Sequence, residues 1–483
     1  MRKKIEFILV FVLLCTIGSC KPIRKSEKNI DSKRPNVLFI AIDDLNDWIG
    51  VLGGHPQAKT PHIDELAGRG VLFSNAHCQA PVCNPSRASI MTSLYPSTSG
   101  IYFLNPDIVD SPITSENVVM PKRFQQEGYT VFAAGKLFHN AKGINEAHIP
   151  NYAGQFGGFG PMPEEKISTY PGHPLWDWGV YPERDGQMPD YQLASWAEAR
   201  LAENQDQPFW MGVGFYRPHV PQFAPQKWFD LYPLESLQLP KTITDDLHDI
   251  PSYGVDITRL KHVSPTHDWV MENDEWKPLV QSYLACVSFV DEQVGRVIHA
   301  LDNGDYGNNT YVVLFSDHGF HIGEKERHAK RSLWEDGTRV PLLIIGPGIP
   351  EGKVCNKPVQ LMDIYPTLLE LCNLEPDSKH EGNSLVPLLK NKELEWPHYA
   401  RTSFGPGNYA IVSERYRFIQ YNDGSEEFYD HIKDPKEWYN EIENPYYSEI
   451  IAKHRAQIPQ KQYEILGKGS TGHLSYTASE KNR

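Results

Sequence analysis

Positive charge is scarce in this chain: 47 Lys and Arg stand against 61 Asp and Glu, a formal net charge of −14. A field of that sign repels anionic polymers at long range, so no nucleic-acid partner is expected. An anionic substrate would need a local cluster of cations to overcome the field. Long hydrophobic runs are also missing at the start, where Phe7–Leu14 is too short to span a bilayer as a helix. Cysteine is sparse, with 7 in 483 residues. No internal repeat is visible, which sets aside a solenoid. What the chain does hold is 38 Pro, 36 Gly and many aromatics (11 Trp, 24 Tyr, 20 Phe), with 40% hydrophobic residues overall. That mixture describes a globular protein with long structured loops, the usual carriers of sites. The length allows one large domain and a smaller one.

Arg2, Lys3 and Lys4 precede the N-terminal apolar run, and Ile17-Gly18-Ser19-Cys20 closes it. This resembles a bacterial lipoprotein signal, cleaved before Cys20 with lipid on its thiol; an ordinary secretory signal is the plainer reading. Residues 1–19 are thus predicted to be a signal peptide and 20–34 a polar tether. The resemblance implies export to the periplasm or cell surface and anchoring to a bacterial membrane through Cys20. Loss of Arg2, Lys3, Lys4 and Glu6 makes the mature chain still more negative. With Cys15 in the signal and Cys20 acylated, Cys78, Cys83, Cys286, Cys355 and Cys372 remain. Their odd number leaves at least one unpaired or reactive.

Asn36–Ile42 (NVLFIAI) reads as a buried parallel strand that ends in Asp43-Asp44. Pro61 at a first helical position, with Asp64 and Glu65 close behind, opens a helix that stops near Gly70. Further strands are predicted at 71–76, 129–134, 209–215, 310–316 and 341–345, and helices at 85–94, 119–127 and 363–371. The clearest helix is 277–302, where Val280, Leu284, Val287, Val290, Val294, Ile298 and Leu301 share one face. This alternation predicts an α/β fold, a sheet covered by helices on both faces, with ligands at the carboxyl ends of its strands. The texture changes after Glu393. Tyr409–Tyr421 alternates, and the chain bends back at Glu427–Tyr429, which predicts a small antiparallel sheet followed by a helix at 447–458. The expected domains are 35–392 and 393–466, with a mobile Ser/Gly-rich tail at 467–483.

Asp43-Asp44 closes the first strand and Asp317-His318 a much later one. An Asp at a strand end often just caps the next turn. Two such pairs can instead converge at one sheet edge, where carboxylate oxygens suit Ca²⁺ or Mg²⁺. A third feature is Cys83-Asn84-Pro85-Ser86-Arg87, inside APVCNPSRASIMTSLYPSTSG. Cys83 is placed just before a helix whose N-terminus favours anions and acidifies a thiol, with Arg87 in the first turn. The plain alternative for Cys83 is a small buried hydrophobe.

This C-x-P-S-R stretch, followed by ASIMTS, resembles the signature of type I sulfatases, which belong to the alkaline phosphatase-like superfamily. NVLFIAIDDLN resembles the family's first metal strand and FSDHGFHIGEK its second. Tyr429-Asp430, Asp434-Pro435 and Asn440 resemble its C-terminal segment. Within the family, Asp317-His318, Gly135-Lys136-Leu137-Phe138-His139, Phe215-Tyr216-Arg217-Pro218-His219-Val220-Pro221 and Ala329-Lys330 are most similar to iduronate-2-sulfatases. The likeness covers nearly all of the chain after the tether.

The resemblance implies a large mixed, mainly parallel sheet flanked by helices, a smaller C-terminal antiparallel sheet, and a sulfuric ester hydrolase. It assigns Asp43, Asp44, Asp317 and His318 to a Ca²⁺ site, with Mg²⁺ left open, completed by a group made from Cys83. A maturation enzyme would convert Cys83 to Cα-formylglycine, whose hydrate attacks sulfur and later expels sulfate. Arg87 would steady that group, Lys136 bridge it to sulfate, and His139 act as base in the elimination. His219 and Lys330 would grip sulfate and help protonate the leaving oxygen. Outside this context each Lys or Arg reads as a solvated surface charge. His321 and His328 could meet substrate or serve as support. Trp176-Asp177-Trp178, with His173 and Arg184, could stack on a sugar or merely pin a loop.

The expected substrate is a sulfated oligo- or polysaccharide, attacked from a chain end at a 2-O-sulfated uronic acid or similar sugar. Glycosaminoglycan fragments and algal polysaccharides such as ulvan both fit. Two competing readings are a phosphoester or phosphonate hydrolase of the same superfamily and a non-catalytic glycan-binding lipoprotein.

Overall fold

The computed structural model describes residues 34–108, 111–112, 116–139, 148–259 and 264–466. The signal 1–19, the lipid acceptor Cys20, the tether as far as Lys33 and the tail 467–483 lie outside the described residues.

The central sheet has seven strands: β1 (Asn36–Ile42), β2 (Val71–Phe73), β3 (Thr130–Gly135), β4 (Phe209–Phe215), β5 (Thr310–Ser316), β6 (Leu342–Ile345) and β7 (Lys353–Cys355). Their order is β7-β2-β6-β5-β1-β4-β3. β1 pairs in parallel with β4 and β5, β3 with β4, and β7 with β2, whereas β6 runs against both β5 and β2. The sheet is therefore mixed and mainly parallel. Register between β1 and β5 runs from Asn36↔Thr310 to Ile42↔Ser316, so Asp43 and Asp317 leave the sheet side by side.

The helices that frame this sheet are α1 (Pro61–Gly68), α2 (Cys83–Thr92), α3 (Pro189–Leu201), α4 (Trp276–Asn303) and α5 (Ile364–Leu371). They cover both faces, which explains the unbroken apolar run of β1. Leu38, Ile40 and Ile42 join one core with Ile63, Leu193 and the α4 residues Val280, Leu284 and Val287. Val37, Phe39 and Ala41 join the other, with Ile90, Met91, Ile364 and Leu368. Each such Leu, Ile or Val contributes roughly 1.5–3 kcal/mol when fully buried. Helix α2 starts earlier than its sequence suggests: Cys83 is its first residue, not a residue ahead of it. Pro85 sits comfortably in that first turn, where its missing N–H has no intrahelical partner to lose. No helix among the described residues is long and apolar enough to cross a membrane.

A second sheet follows, antiparallel throughout: β8 (Ala400–Ser403), β9 (Tyr409–Val412), β10 (Tyr416–Gln420) and β11 (Glu426–Asp430). Helix α6 (Ser448–Arg455) packs Ile451 with Phe418 and Phe428 of this sheet. Tyr409–Tyr421 is thus two strands with a turn between them. The chain from β5 to β6 forms a strap bonded to this sheet: Trp334 Nε1 donates to Glu427 Oε2 at 2.8 Å, and Arg417 Nη1 donates to the Leu333 carbonyl at 2.8 Å.

Candidate active site

The carboxyl ends of β1, β3, β4 and β5 and the start of α2 deliver their side chains to one place. Asp43 and Asp44 follow β1, and both are fully buried. Asp44 has a left-handed φ of 61°, a turn that lets consecutive carboxylates serve one cluster rather than alternate as in a strand. Its N–H donates to Asp317 Oδ1 at 3.2 Å. Lys136 follows Gly135, whose φ is 76° and whose absent Cβ would stand 2.1 Å from the Gly214 carbonyl oxygen. That close approach of β3 to β4 requires glycine and aims Lys136 Nζ at Asp43 Oδ2.

Helix α2 is fastened across the sheet end. Ser86 Oγ donates to the Asp317 carbonyl. Arg87 donates through Nε to Asp317 Oδ2 at 2.8 Å, through Nη2 to Asp43 Oδ1 at 3.1 Å, and through Nη1 to the Lys136 carbonyl. Cys83 therefore stands among cations: Lys330 Nζ at 3.1 Å, His318 Nε2 at 3.2 Å and Lys136 Nζ at 3.6 Å from its sulfur. Lys330 Nζ also donates to Asp44 Oδ1 at 2.7 Å.

Both site histidines are oriented by backbone. His318 Nδ1 donates to the Gly319 carbonyl at 3.0 Å, and His219 Nδ1 to the Val220 carbonyl at 2.6 Å. The Nε2 atoms are left facing inward, His318 at 3.3 Å from Asp44 Oδ1 and His219 at 3.8 Å from Asp44 Oδ2. This is how a metal-ligating or proton-donating imidazole is held. Phe159 walls the cluster, with its ring centroid 4.6 Å from that of His219 and 4.8 Å from Lys136 Nζ.

Charge follows from this packing. Burial pushes the Cys83 thiol up, but Lys136, Lys330 and His318 outweigh it and hold it well below the ordinary thiol range. The other cysteines behave oppositely. Cys78, Cys286, Cys355 and Cys372 are free and buried, and burial pushes Cys286 and Cys372 up to about 12. Burial also raises Asp317, to about 6, against the pull of Arg87. Burial opposes the charge on Lys330, yet Asp44 and Cys83 keep it firmly protonated.

The donor set suits a divalent cation. Ligand atoms of Asp43, Cys83, Asp317 and His318 lie within 4.8 Å of one another, as do those of Asp43, Asp44, Cys83 and His219. Asp44 Oδ2 is buried without a hydrogen-bond partner. A hard cation would satisfy that oxygen, and carboxylates favour Ca²⁺ or Mg²⁺ over softer metals.

The remaining candidates separate clearly. His139 is half-buried and near enough to Cys83 to help hold its thiol acidic, with its Nδ1 buried and unpartnered. His321 and His328 are buried elsewhere in the strap, His321 on Ser332 Oγ and His328 stacked on His267. Asp177 accepts from the Ile167 and Ser168 N–H groups, Trp178 donates to Glu275, and Trp176 stacks on Phe320. These contacts pin the 151–180 insertion. His173 bonds within the same loop, and Arg184 is exposed beside a short turn. Two residues near the cluster escape a sequence reading, Phe159 and Arg331, and Ser86 was named only as part of the Cys83 motif. Arg331 carried a faint signal, as a second cation directly after Lys330.

Comparison with known proteins bears on this arrangement. The sulfatase family model matches residues 35–374, and the model for the C-terminal part of N-sulphoglucosamine sulphohydrolase matches 323–464. A sulfatase of Formosa agariphila is 44% identical over 458 residues, covering 92% of this chain and 90% of that one. An ulvan-active sulfatase of the same bacterium is 30% identical over 483 residues, 95% of this chain and 87% of its own. Human iduronate 2-sulfatase is 29% identical over 440 residues, 80% of this chain and 78% of its own. The crystal structure of an Agrobacterium radiobacter phosphonate monoester hydrolase shares the fold, with a TM-score of 0.72 at 22% identity over 88% of this chain and 94% of that one. The fold alone is therefore common to more than one ester chemistry. The sulfatase model, by contrast, spans the central sheet and every residue of the cluster just described, and on that match the chain belongs to the sulfatase family.

Proposed function

We propose that this sulfatase is an exported, metal-dependent enzyme that removes a 2-O-sulfate from a uronic acid at the end of a sulfated glycan. The observation that carries the reading is the ring formed around Cys83 by the cations Lys330 and Lys136 and the metal-ligand candidate His318, within 3.1–3.6 Å of its sulfur, in a chain of net negative charge. Such a ring is the local cluster an anionic substrate requires. Asp43, Asp44, Asp317 and His318 would hold Ca²⁺, and Cys83 would be converted by a maturation enzyme to Cα-formylglycine. Together these groups would supply a hydrated aldehyde as nucleophile and the positive charge that acidifies it.

The chain's own residues do the rest. Arg87 is fully engaged with Asp43 and Asp317, so it fixes the carboxylates and not the substrate. Lys136 and Lys330 reach the Cys83 position and can donate to sulfate oxygens there. His219, with Nδ1 committed to a carbonyl, offers Nε2–H to the leaving oxygen when the ring is protonated. His139 is left to accept a proton at the Cys83-derived group. Iduronate 2-sulfatase and the ulvan-active sulfatase, by their names, support a saccharide substrate, and the first supports the uronate. The lipobox at Cys20 supports an anchored enzyme that meets glycan outside the cytoplasm.

The test is sulfate release by protein co-expressed with a formylglycine-generating enzyme, after peptide mass has confirmed conversion of Cys83. The panel contains terminal 2-O-sulfated uronates, 6-O-sulfated hexosamines, ulvan fragments and matched phosphate esters, with Cys83→Ala as blank. Release from the 2-O-sulfated uronates is the expected result. Release only from another sulfate ester would overturn the uronate, and preference for phosphate esters would overturn the sulfate chemistry.

A further inference from the structure

The strap that carries Lys330 continues directly into a second cation, Arg331. Its backbone has a left-handed φ of 72°, a conformation that L side chains adopt only when their surroundings impose it. Its N–H donates to the Pro81 carbonyl at 3.1 Å, which ties the strap to the loop two residues ahead of Cys83. The residue is only 5% exposed, and its Nε and Nη1 are buried without any hydrogen-bond partner.

An unpaired buried guanidinium is unfavourable, and folding alone gives no reason to keep one. Among the described residues no carboxylate forms an ion pair with it. Arg331 interacts with Cys83 and Asp44, but Asp44 already accepts from Lys330. Arg327, also buried, adds like charge from the same strap and donates Nε and Nη2 only to the Lys330 carbonyl. Among the described residues, neither guanidinium has a carboxylate of its own. Lys136, His318 and Lys330 already surround the sulfate position at Cys83, so Arg331 is surplus to it.

We propose that Arg331 forms a second anion subsite beside the sulfate position and receives the carboxylate of the sulfated sugar ring. A guanidinium is a permanently charged, planar set of N–H donors suited to an oxyanion such as a carboxylate, and at Arg331 both Nε and Nη1 are buried without a partner. The ligand's identity rests on the uronate reading above; the subsite itself rests on Arg331. A second sulfate ester on the same ring is the other source of an oxyanion in this place.

Binding to the full chain carrying Cys83→Ala separates these possibilities without turnover. Three methyl glycosides are titrated calorimetrically: a uronate 2-sulfate, the matched hexose 2-sulfate with CH₂OH in place of the carboxylate, and a hexose 2,6-disulfate. The uronate is expected to bind about 10-fold or more tighter than the hexose monosulfate, the range of a charge-assisted hydrogen bond. Arg331→Gln should erase that advantage and leave the monosulfate nearly unchanged, while Arg331→Lys keeps part of it. Thermal melting checks that the variants fold. Equal binding of uronate and monosulfate, or equal loss of both in Arg331→Gln, overturns the subsite. An advantage for the disulfate alone overturns the carboxylate assignment. If wild-type enzyme releases no sulfate from the uronate while the Arg331-dependent advantage persists, the proposed function fails and the subsite stands.

Discussion

Lys330 and Asp44 are joined by a 2.7 Å contact between ammonium and carboxylate at the edge of a cluster in which Asp44 is fully buried. The lysine thereby serves two groups at once, because its Nζ is also 3.1 Å from Cys83 Sγ. Lys330→Ala removes a donor aimed at the place where charge is transferred. Loss of one such donor typically lowers kcat by about 10²–10³-fold. We expect a fall of that size in sulfate release, with the protein still folded by circular dichroism. Activity within threefold of wild type would exclude a direct role for Lys330.

Asp44 Oδ2 has no hydrogen-bond partner in a fully buried position, and ligand atoms of Asp43, Asp317 and His318 converge nearby. A cation bound only by the folded state stabilises it, by about 2.7 kcal/mol when present at 100 times its dissociation constant. Treatment with EGTA should therefore lower the melting temperature by a few degrees and abolish sulfate release, and excess Ca²⁺ should restore both. Asp44→Asn should shrink the Ca²⁺-dependent shift. Identical melting curves before and after exhaustive chelation would count against the metal.

Much of this was readable from residue order, for physical reasons that differ from element to element. β1, β4 and β5 are buried on both faces, so each appears as a continuous apolar run, and their bounds match the sequence reading. Helix α4 declares itself through the helical spacing of its large apolar residues, although from Ser282 to Asp291 it is buried all round. β8, by contrast, is the short segment ARTS, held by pairing with β9 and not by any propensity of its own. Helix α2 begins two residues before the expected Pro85, since a proline marks a first turn without saying which of its positions it fills. The carboxylates of the site were legible because strand ends announce themselves. Phe159 and Arg331 were not, because their significance lies in what surrounds them: a ring against His219, and a guanidinium with nothing to bind.

His77 makes acid stability a specific prediction. It is fully buried, with Nε2 2.7 Å from Asn75 Oδ1 and Nδ1 3.2 Å from Thr338 Oγ1. Burial lowers its pKa from 6.5 to about 3. In acid the unfolded chain takes up this proton first, while the folded protein refuses it. Between those two values the unfolded state holds more protons, so stability rises with pH and drains away on acidification. The slope approaches ~1.4 kcal/mol per pH unit inside that window. His77→Gln keeps a donor and an acceptor but cannot titrate. Its melting temperature should fall less steeply than wild type between pH 6 and pH 4 (about 2 units inside the window). Parallel curves for the two proteins would refute the assignment.

Arg417 joins the C-terminal sheet to the strap, beside the bond from Trp334 to Glu427. It is fully buried on β10, donates to the Leu333 carbonyl at 2.8 Å, pairs with Glu335, and has Nε 2.6 Å from Glu437 Oε1. Leu333 is three residues beyond Lys330, so the bond sets the height of the strap over Cys83. Arg417→Ala would remove a counter-charge shared by Glu335 and Glu437, leaving Arg339 beside the first and His431 beside the second; breaking a buried pair destabilises by roughly 3–5 kcal/mol when nothing else compensates, so a loss below that range is expected. Arg417→Lys retains the charge but not the planar fork, and cannot hold the Leu333 carbonyl and both carboxylates at once. It should therefore recover part of the stability in urea denaturation yet still release sulfate more slowly than wild type. Full activity in Arg417→Lys would show that the strap keeps its place without the sheet.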